Sequence, residues 1–305
     1  MNSAYLFVLY VFFSALVGES TAWANAPEPS MPKLRSSSVL VLDPEQDRPL
    51  YAKNPTSITP IASITKLMTA MVVLDAQLPL DERLMIDEAD IDTIKGSQSR
   101  LRPGSELSRR ELLRLALMSS ENRAAAALGR NYPGGASAFV EAMNAKSLLV
   151  GMTRSHFADA TGLSSDNVAT AEDLARMVIA AADYPLIREY STAVSYSVEV
   201  PPYRHPLDYR NTNGLVKSAA WEISLSKTGF IREAGRCLVM MATIASRPVV
   251  IVLLDSFGKN SRIGDANRIK RWMEASLNPA PAKTRSRPLQ RGTRYSANTI
   301  TTRRV

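Results

Sequence analysis

The chain keeps its strand-forming segments at its two ends, and this limits the folds open to it. Near the C-terminus two strongly apolar runs, Cys237 to Ile244 and Val249 to Leu254, are separated only by Ala245-Ser246-Arg247-Pro248, which is the pattern of an antiparallel pair in a core. Near the N-terminus Ser38-Val39-Leu40-Val41-Leu42 reads as a buried strand, Asp43 to Asp47 as a turn and Pro49-Leu50-Tyr51-Ala52 as the return strand. Strand patterns recur in Ser195 to Val200 and in Glu222 to Lys227.

The middle of the chain is helical. Lys66 to Leu74 is apolar nearly all round, as a helix buried at the centre of a soluble protein must be. Ser108 and Glu111 form a capping box ahead of Leu112 to Met118. Another helix begins close to Ser120, Pro133-Gly134-Gly135 punctuates it before a helix from Ala136 to Leu148, and Thr170 caps one through Leu174, Met177 and Val178. Ile263, Ile269, Trp272, Met273 and Leu277 describe a closing helix. The expected fold is α/β of the α+β kind: an antiparallel sheet formed from both ends of the chain with an inserted helical region.

Residues 1–24 have the apolar run and the small-residue site Ala22-Trp23-Ala24 of a secretory signal peptide cut after Ala24. The absence of Lys or Arg before the run leaves an uncleaved anchor as the alternative, and either exports the domain. Residues 25–35 read as a linker, 36–277 as the domain and 278–305 as a disordered basic tail. That tail explains the formal net charge of +8: it holds seven basic residues, Lys283, Arg285, Arg287, Arg291, Arg294, Arg303 and Arg304, and no acidic one. The remainder is nearly neutral, so no nucleic-acid partner is implied, although the tail suits weak contact with anionic lipid or wall polymer. Cys237, the only cysteine, sits in an apolar run as a small hydrophobe. His156 and His205 lack a second ligand at metal spacing, and no cofactor is implied.

Ser63-Ile64-Thr65-Lys66 places a hydroxyl and an amine three residues apart on one face of a helix start. Serine is a poor nucleophile without an adjacent base, and a lysine amine serves only when burial or a neighbouring cation lowers its pKa. Alone the pattern is weak, and Ser224-Leu225-Ser226-Lys227 repeats it, but on a strand, where residues three apart face opposite sides. Specificity comes from the combination Ser63-x-x-Lys66, Ser120-Glu121-Asn122 and Lys227-Thr228-Gly229. Ser165-Asp166-Asn167 imitates the middle member, yet lies too near Lys227 and in a loop.

With these motifs, the blocks Pro60 to Asp75, Leu117 to Ala126, Arg210-Asn211-Thr212-Asn213 and Lys227-Thr228-Gly229-Phe230 resemble the D-alanyl-D-alanine endopeptidases. These are low-molecular-mass penicillin-binding proteins, with the penicillin-recognising serine transpeptidase/β-lactamase-like fold. The resemblance implies a serine D,D-peptidase of the periplasm that hydrolyses D-alanyl crosslinks in peptidoglycan peptides through an acyl-Ser63 intermediate and takes β-lactams as covalent inhibitors. It implies Lys66 as base, Ser120 as proton carrier to the leaving group, and Asn122 as holder of the substrate amide. Lys227 would keep Lys66 deprotonated and attract a carboxylate, Thr228 would bond the peptide, Gly229 would make room for a ligand backbone, and the N–H groups of Ser63 and Phe230 would form the oxyanion hole. The chain departs from its relatives in carrying Ile231 where threonine is common.

Three rival functions stay open to the sequence. A D-Ala-D-Ala carboxypeptidase uses the same acyl-enzyme. A β-lactamase needs a base for deacylation, for which Glu172 is the acidic candidate. A non-catalytic wall-binding or penicillin-sensing module keeps Ser63 without turnover. A lipase-type hydrolase is disfavoured, since no G-x-S-x-G elbow occurs.

Overall fold

A computed structural model describes residues 30–201, 203 and 205–277; the signal-peptide and tail expectations and the first part of the linker, residues 25–29, lie outside them. Five strands form one antiparallel sheet: β1 (Ser36–Asp43), β2 (Arg48–Lys53), β3 (Glu222–Ile231), β4 (Gly235–Ile244) and β5 (Arg247–Ser256). Their spatial order is β2-β1-β5-β4-β3. The first strand therefore lies between its own hairpin partner and the last strand, with Leu40 opposite Val252 and also opposite Ala52. The β4–β5 connection is a two-residue turn in which Ala245 and Ser246 both take positive φ, +49° and +62°, so its twist matches that of the strands it joins.

Among the described residues seven α-helices accompany the sheet, α1 (Lys66–Asp75), α2 (Arg109–Met118), α3 (Asn122–Arg130), α4 (Gly135–Leu149), α5 (Ala171–Ala182), α6 (Pro185–Thr192) and α7 (Ser261–Leu277), with three short two-stranded pairings beside them. The capping box predicted for α2 is present in both directions: Ser108 Oγ accepts from Glu111 N, and Glu111 Oε2 accepts from Ser108 N. Thr170 caps α5 by accepting from Asp173 N. α6 was not foreseen; it opens with Pro185 at its first turn, a position where the missing N–H is no loss.

Alternation along the strands divides the apolar interior in two. Val39, Val41, Leu238, Met240 and Ile251 face α7 through Ala266, Ile269 and Met273. Leu40, Leu42, Val239, Val250 and Val252 face the helical region, where α1 is buried along nearly its whole length. The α+β architecture read from the sequence is thus the observed one. One polar clamp joins the ends: Asp265 of α7, fully buried, accepts from Arg35 N at 2.9 Å, Ser36 N at 2.8 Å and Ser36 Oγ at 2.7 Å. Cys237 is buried with its thiol pushed up to about 11 by that burial, the inert small hydrophobe its sequence context indicated.

Candidate active site

Ser63 and Lys66 are placed by a tight turn. Ala62–Thr65 forms one turn of 3-10 helix that runs directly into α1 at Lys66. Ala62 takes φ +49°, a conformation that costs a residue with a Cβ about 1–2 kcal/mol. Two glycines let the chain close around it. A Cβ on Gly162 would lie 2.1 Å from the Ala62 carbonyl oxygen; one on Gly229 would lie 2.8 Å from the Ile61 oxygen and 3.1 Å from the Ser63 nitrogen. The room left by Gly229 is therefore filled by the protein's own turn, not held for a ligand backbone, and it brings β3 against the Ser63 main chain.

Lys66 is fully buried. Its Nζ lies 3.0 Å from Ser63 Oγ, and it donates to Asn122 Oδ1 at 2.7 Å and to the Thr161 carbonyl at 2.6 Å. Asn122 Oδ1 and Thr161 O can only accept. When the amine is neutral its two hydrogens are committed to them, and its lone pair is left facing the Ser63 hydroxyl. The amide of Asn122 is held in this sense because its Nδ2 donates to Ser97 Oγ at 2.8 Å. Burial brings the Lys66 amine down to about 8, against the charges of Asp159, Glu121 and Asp92, which act to raise it. The cation beside it, Lys227, is equally buried, and burial, then the charges of Lys66 and Arg262, hold it well below an ordinary lysine. The depression of Lys66 is thus a consequence of burial, whereas the sequence reading assigned it to Lys227.

Lys227 Nζ donates to Ser120 Oγ at 2.9 Å and to Thr228 O at 2.9 Å. Ser120 occupies the α2–α3 junction with φ +61°, so its hydroxyl sits between the two helices and opposite β3. Thr228 Oγ1 is 2.6 Å from Thr212 Oγ1. The Arg210-Asn211-Thr212-Asn213 block acts as the fastening: Thr212 N donates to Met118 O, Asn211 Nδ2 to Ser191 O and Ala193 O, and Asn213 Nδ2 to Ser226 Oγ. Phe230 follows on β3 with its ring 55% exposed and Arg236 stacked 4.5 Å above it. Ile231 points into the helical-side core, so its methyls do not line the groove.

Three contributors escaped the sequence reading. Arg262 of α7 reaches across and donates to Gly229 O at 2.9 Å; no motif marks it. Ser97, which orients Asn122, belongs to a loop folded on Asp92, whose carboxylate accepts from Ile94, Lys95 and Ser97 N–H groups. The Thr161 carbonyl is presented by a loop wrapped around Asp159, which accepts from the N–H groups of Thr161, Gly162 and Ser164 and from Asn167 Nδ2. Burial works to raise the Asp159 carboxyl, and the Thr161, Ser164 and Gly162 hydrogen bonds overcome it, leaving it below its usual range.

The family model described as D-alanyl-D-alanine carboxypeptidase matches residues 25–258 of the chain. The chain belongs to the D-alanyl-D-alanine carboxypeptidase family. Within it, the chain is 47% identical over 298 residues to a D-alanyl-D-alanine endopeptidase of Pseudomonas aeruginosa, covering 95% of each. It is 46% identical over 275 residues to a D-alanyl-D-alanine endopeptidase of Escherichia coli, covering 90% of this chain and 89% of that one. The fold is also that of a D-alanyl-D-alanine carboxypeptidase from Mycobacterium tuberculosis, with TM-score 0.73, 26% identity, and coverage of 83% of this chain and 96% of that one. As a carboxypeptidase-family fold, the chain confines the Ser-Asp-Asn look-alike to the Asp159 loop, where Asn167 is fully buried and also accepts from Ala158 N at 3.1 Å. Glu172 is taken up by Arg154 at 2.6 Å in the first turn of α5.

These placements give an expected contrast. Ser165→Ala leaves penicillin labelling at the parent rate. Asn167→Ala strips one donor from the buried Asp159 carboxylate and one acceptor from the loop, and is expected to cost about 2 kcal/mol of stability. Thermal unfolding and labelling rates of the two variants check this.

Proposed function

We propose that this protein is an exported serine D,D-peptidase that hydrolyses D-alanyl crosslinks of peptidoglycan through an acyl-Ser63 intermediate. The observation that carries the chemistry is the Lys66 amine: Asn122 Oδ1, Thr161 O and Ser63 Oγ surround it and burial holds it at about 8, so that in its neutral form the two pure acceptors take its hydrogens and its lone pair is left for the Ser63 hydroxyl. In acylation Ser63 Oγ attacks the D-alanyl carbonyl carbon while its proton passes to Lys66 Nζ. The developing oxyanion is received by the main-chain N–H groups of Ser63 and Phe230. The carbon–nitrogen bond then breaks, and the leaving nitrogen takes a proton through Ser120, which Lys227 supports. Water reverses these steps on the ester and frees Ser63. Asn122 holds the substrate amide, Thr228 bonds the bound peptide, and Lys227 with Arg262 gives the β3 side a positive potential suited to a carboxylate.

β-Lactams present the same carbonyl in a ring whose opened amine stays tethered, so they trap the acyl-Ser63 ester. The names of the relatives at 47% and 46% identity, D-alanyl-D-alanine endopeptidases, support the reading of crosslinks over terminal D-alanine as the substrate of this chain. The N-terminal residues support export to the periplasm, and the basic tail suits weak contact with anionic lipid or wall polymer. Digestion of purified peptidoglycan, with mass analysis of the released muropeptides, is the test. Loss of crosslinked dimers is the expected result; loss of pentapeptides alone would transfer the protein to carboxypeptidase work.

A further inference from the structure

Next to Ser120 the surface opens into a polar groove of about 380 Å³ that runs past Asn122 to Arg100, Tyr209 and Arg210, a volume within the range of ligand sites. Its two cations stand out. Among the described residues neither the Arg100 nor the Arg210 guanidinium enters an ion pair. The one carboxylate lining the groove, Glu121, is buried and committed to capping α3 through Ala124 N. The Arg100 side chain and the Arg210 backbone are both held in place. Arg100 stacks 4.1 Å above the ring of Tyr209, and its main-chain oxygen accepts from Tyr203 Oη at 2.7 Å. Arg210 is paired with Ser195 in a strand hairpin, and Asn211, next in sequence, is anchored by its main-chain N–H to Val194 O and by its side chain to Ser191 O and Ala193 O. One guanidinium held on an aromatic face and a second carried on a fixed strand position, neither of them neutralised, make an anion site in this groove.

The position of the groove indicates which part of a substrate reaches it. Ser120 is the hydroxyl assigned to the leaving nitrogen, so whatever that nitrogen is attached to continues away from Ser63 on the Ser120 side. For a terminal D-Ala-D-Ala the attachment ends after one residue. For a crosslink it is a second stem peptide, which brings carboxylates of its own. We propose that the groove from Ser120 to Arg100 and Arg210 is the subsite for the acceptor stem peptide of a crosslink, whose carboxylates pair with the two arginines. This assignment rests on the endopeptidase reading above and adds to it the feature that selects a crosslink over a free peptide end.

The test compares the full chain with Arg100→Gln, Arg210→Gln and the double variant on two substrates: a purified crosslinked muropeptide dimer and a diacylated tripeptide ending in D-Ala-D-Ala. The double variant is expected to raise KM for the dimer about tenfold, with kcat within about twofold, while D-alanine release from the tripeptide falls much less. Lysine at both positions restores part of the loss. A second arm needs no variant: amidating the acceptor carboxylates of the dimer should raise KM for the parent protein by the same factor and have no further effect on the double variant. An unchanged KM for the dimer in the double variant, a parallel loss on both substrates, or indifference of the parent to amidation overturns the subsite. If the parent protein leaves the dimer intact but releases D-alanine, the endopeptidase reading itself fails, an outcome distinct from these.

Discussion

Ser63→Ala is expected to show no covalent labelling by a fluorescent penicillin while keeping the circular dichroism and unfolding midpoint of the parent. Ser63 Oγ is the hydroxyl that faces the Lys66 amine, at 3.0 Å. The other hydroxyl of the motif set, Ser120, already accepts from Lys227, and its position across the junction does not substitute for the missing nucleophile. Loss of the nucleophile should lower turnover by about 10⁴-fold or more. The fold should tolerate the change, because the Ser63 side chain makes no cap in its turn and alanine suits the conformation; the stability change should stay within about 0.5 kcal/mol. Gel fluorescence and mass spectrometry of the treated protein decide the matter, and an adduct of undiminished yield in this variant would place the nucleophile elsewhere.

Lys66→Met carries the second large effect, and its sign can be worked out. The neutral amine is the base, so the second-order acylation rate of the parent should rise with pH and level off above about 8, the value to which burial brings Lys66. The variant should be slower by about 10²–10⁴-fold and lose that inflection. Stability gives an independent reading. Folded Lys66 binds its proton less tightly than the unfolded side chain, near its ordinary 10.5, so the unfolded state holds more protons between these values. Rising pH therefore stabilises the parent across the window from about 8 to 10.5, by up to about 3 kcal/mol from this group. Lys66→Met should lack that increment, so the difference in unfolding free energy between the two proteins should change with pH inside the window and be flat below it. A difference that stays constant from pH 7 to 10.5 would mean that Lys66 is not depressed in the folded protein.

The fold was legible wherever local chemistry and tertiary role agree. The Ser108–Glu111 box and the Thr170 cap act within a few residues of chain, and their sequence signals survive folding intact, whereas of the four-residue link read at Ala245 to Pro248 only Ala245 and Ser246 form the turn and Arg247 and Pro248 join β5. The apolar runs of β4 and β5 are long and buried on both faces, so their periodicity admits little else. α6 was missed because Tyr184 to Thr192 mixes polar and apolar residues without a strong stripe, and its helix is secured from outside by Asn211 and by Arg114 pairing with Glu189. The site was legible where it is made of side chains in spaced motifs, which is how Ser63, Lys66, Ser120, Asn122 and Lys227 come together as the sequence suggested. It was not legible where the working group is a backbone atom or a lone residue from far along the chain. The Thr161 carbonyl is chosen by the shape of a loop, not by the threonine side chain, and Arg262 is one arginine among many until α7, packed on β4 and β5, brings it to the Gly229 carbonyl. Gly229 was legible as a glycine with a purpose; what fills its space depends on a turn more than 160 positions earlier, which no local pattern reports.

The placement of β1 has a consequence for how the molecule is made. Ser36 and Ser256 are hydrogen-bonded partners 220 residues apart in sequence, and β1 cannot gain its β5 neighbour or its Asp265 clamp until nearly the whole domain has been synthesised. The hairpin of β1 and β2 is too small to hold alone, so until β5 has been made β1 is an interior strand still unpaired on one side. Sheets closed by such distant segments form slowly. Under the export proposed above, that delay keeps the chain in a transportable state, and α7, which follows every strand, is the helix that locks the first strand in place.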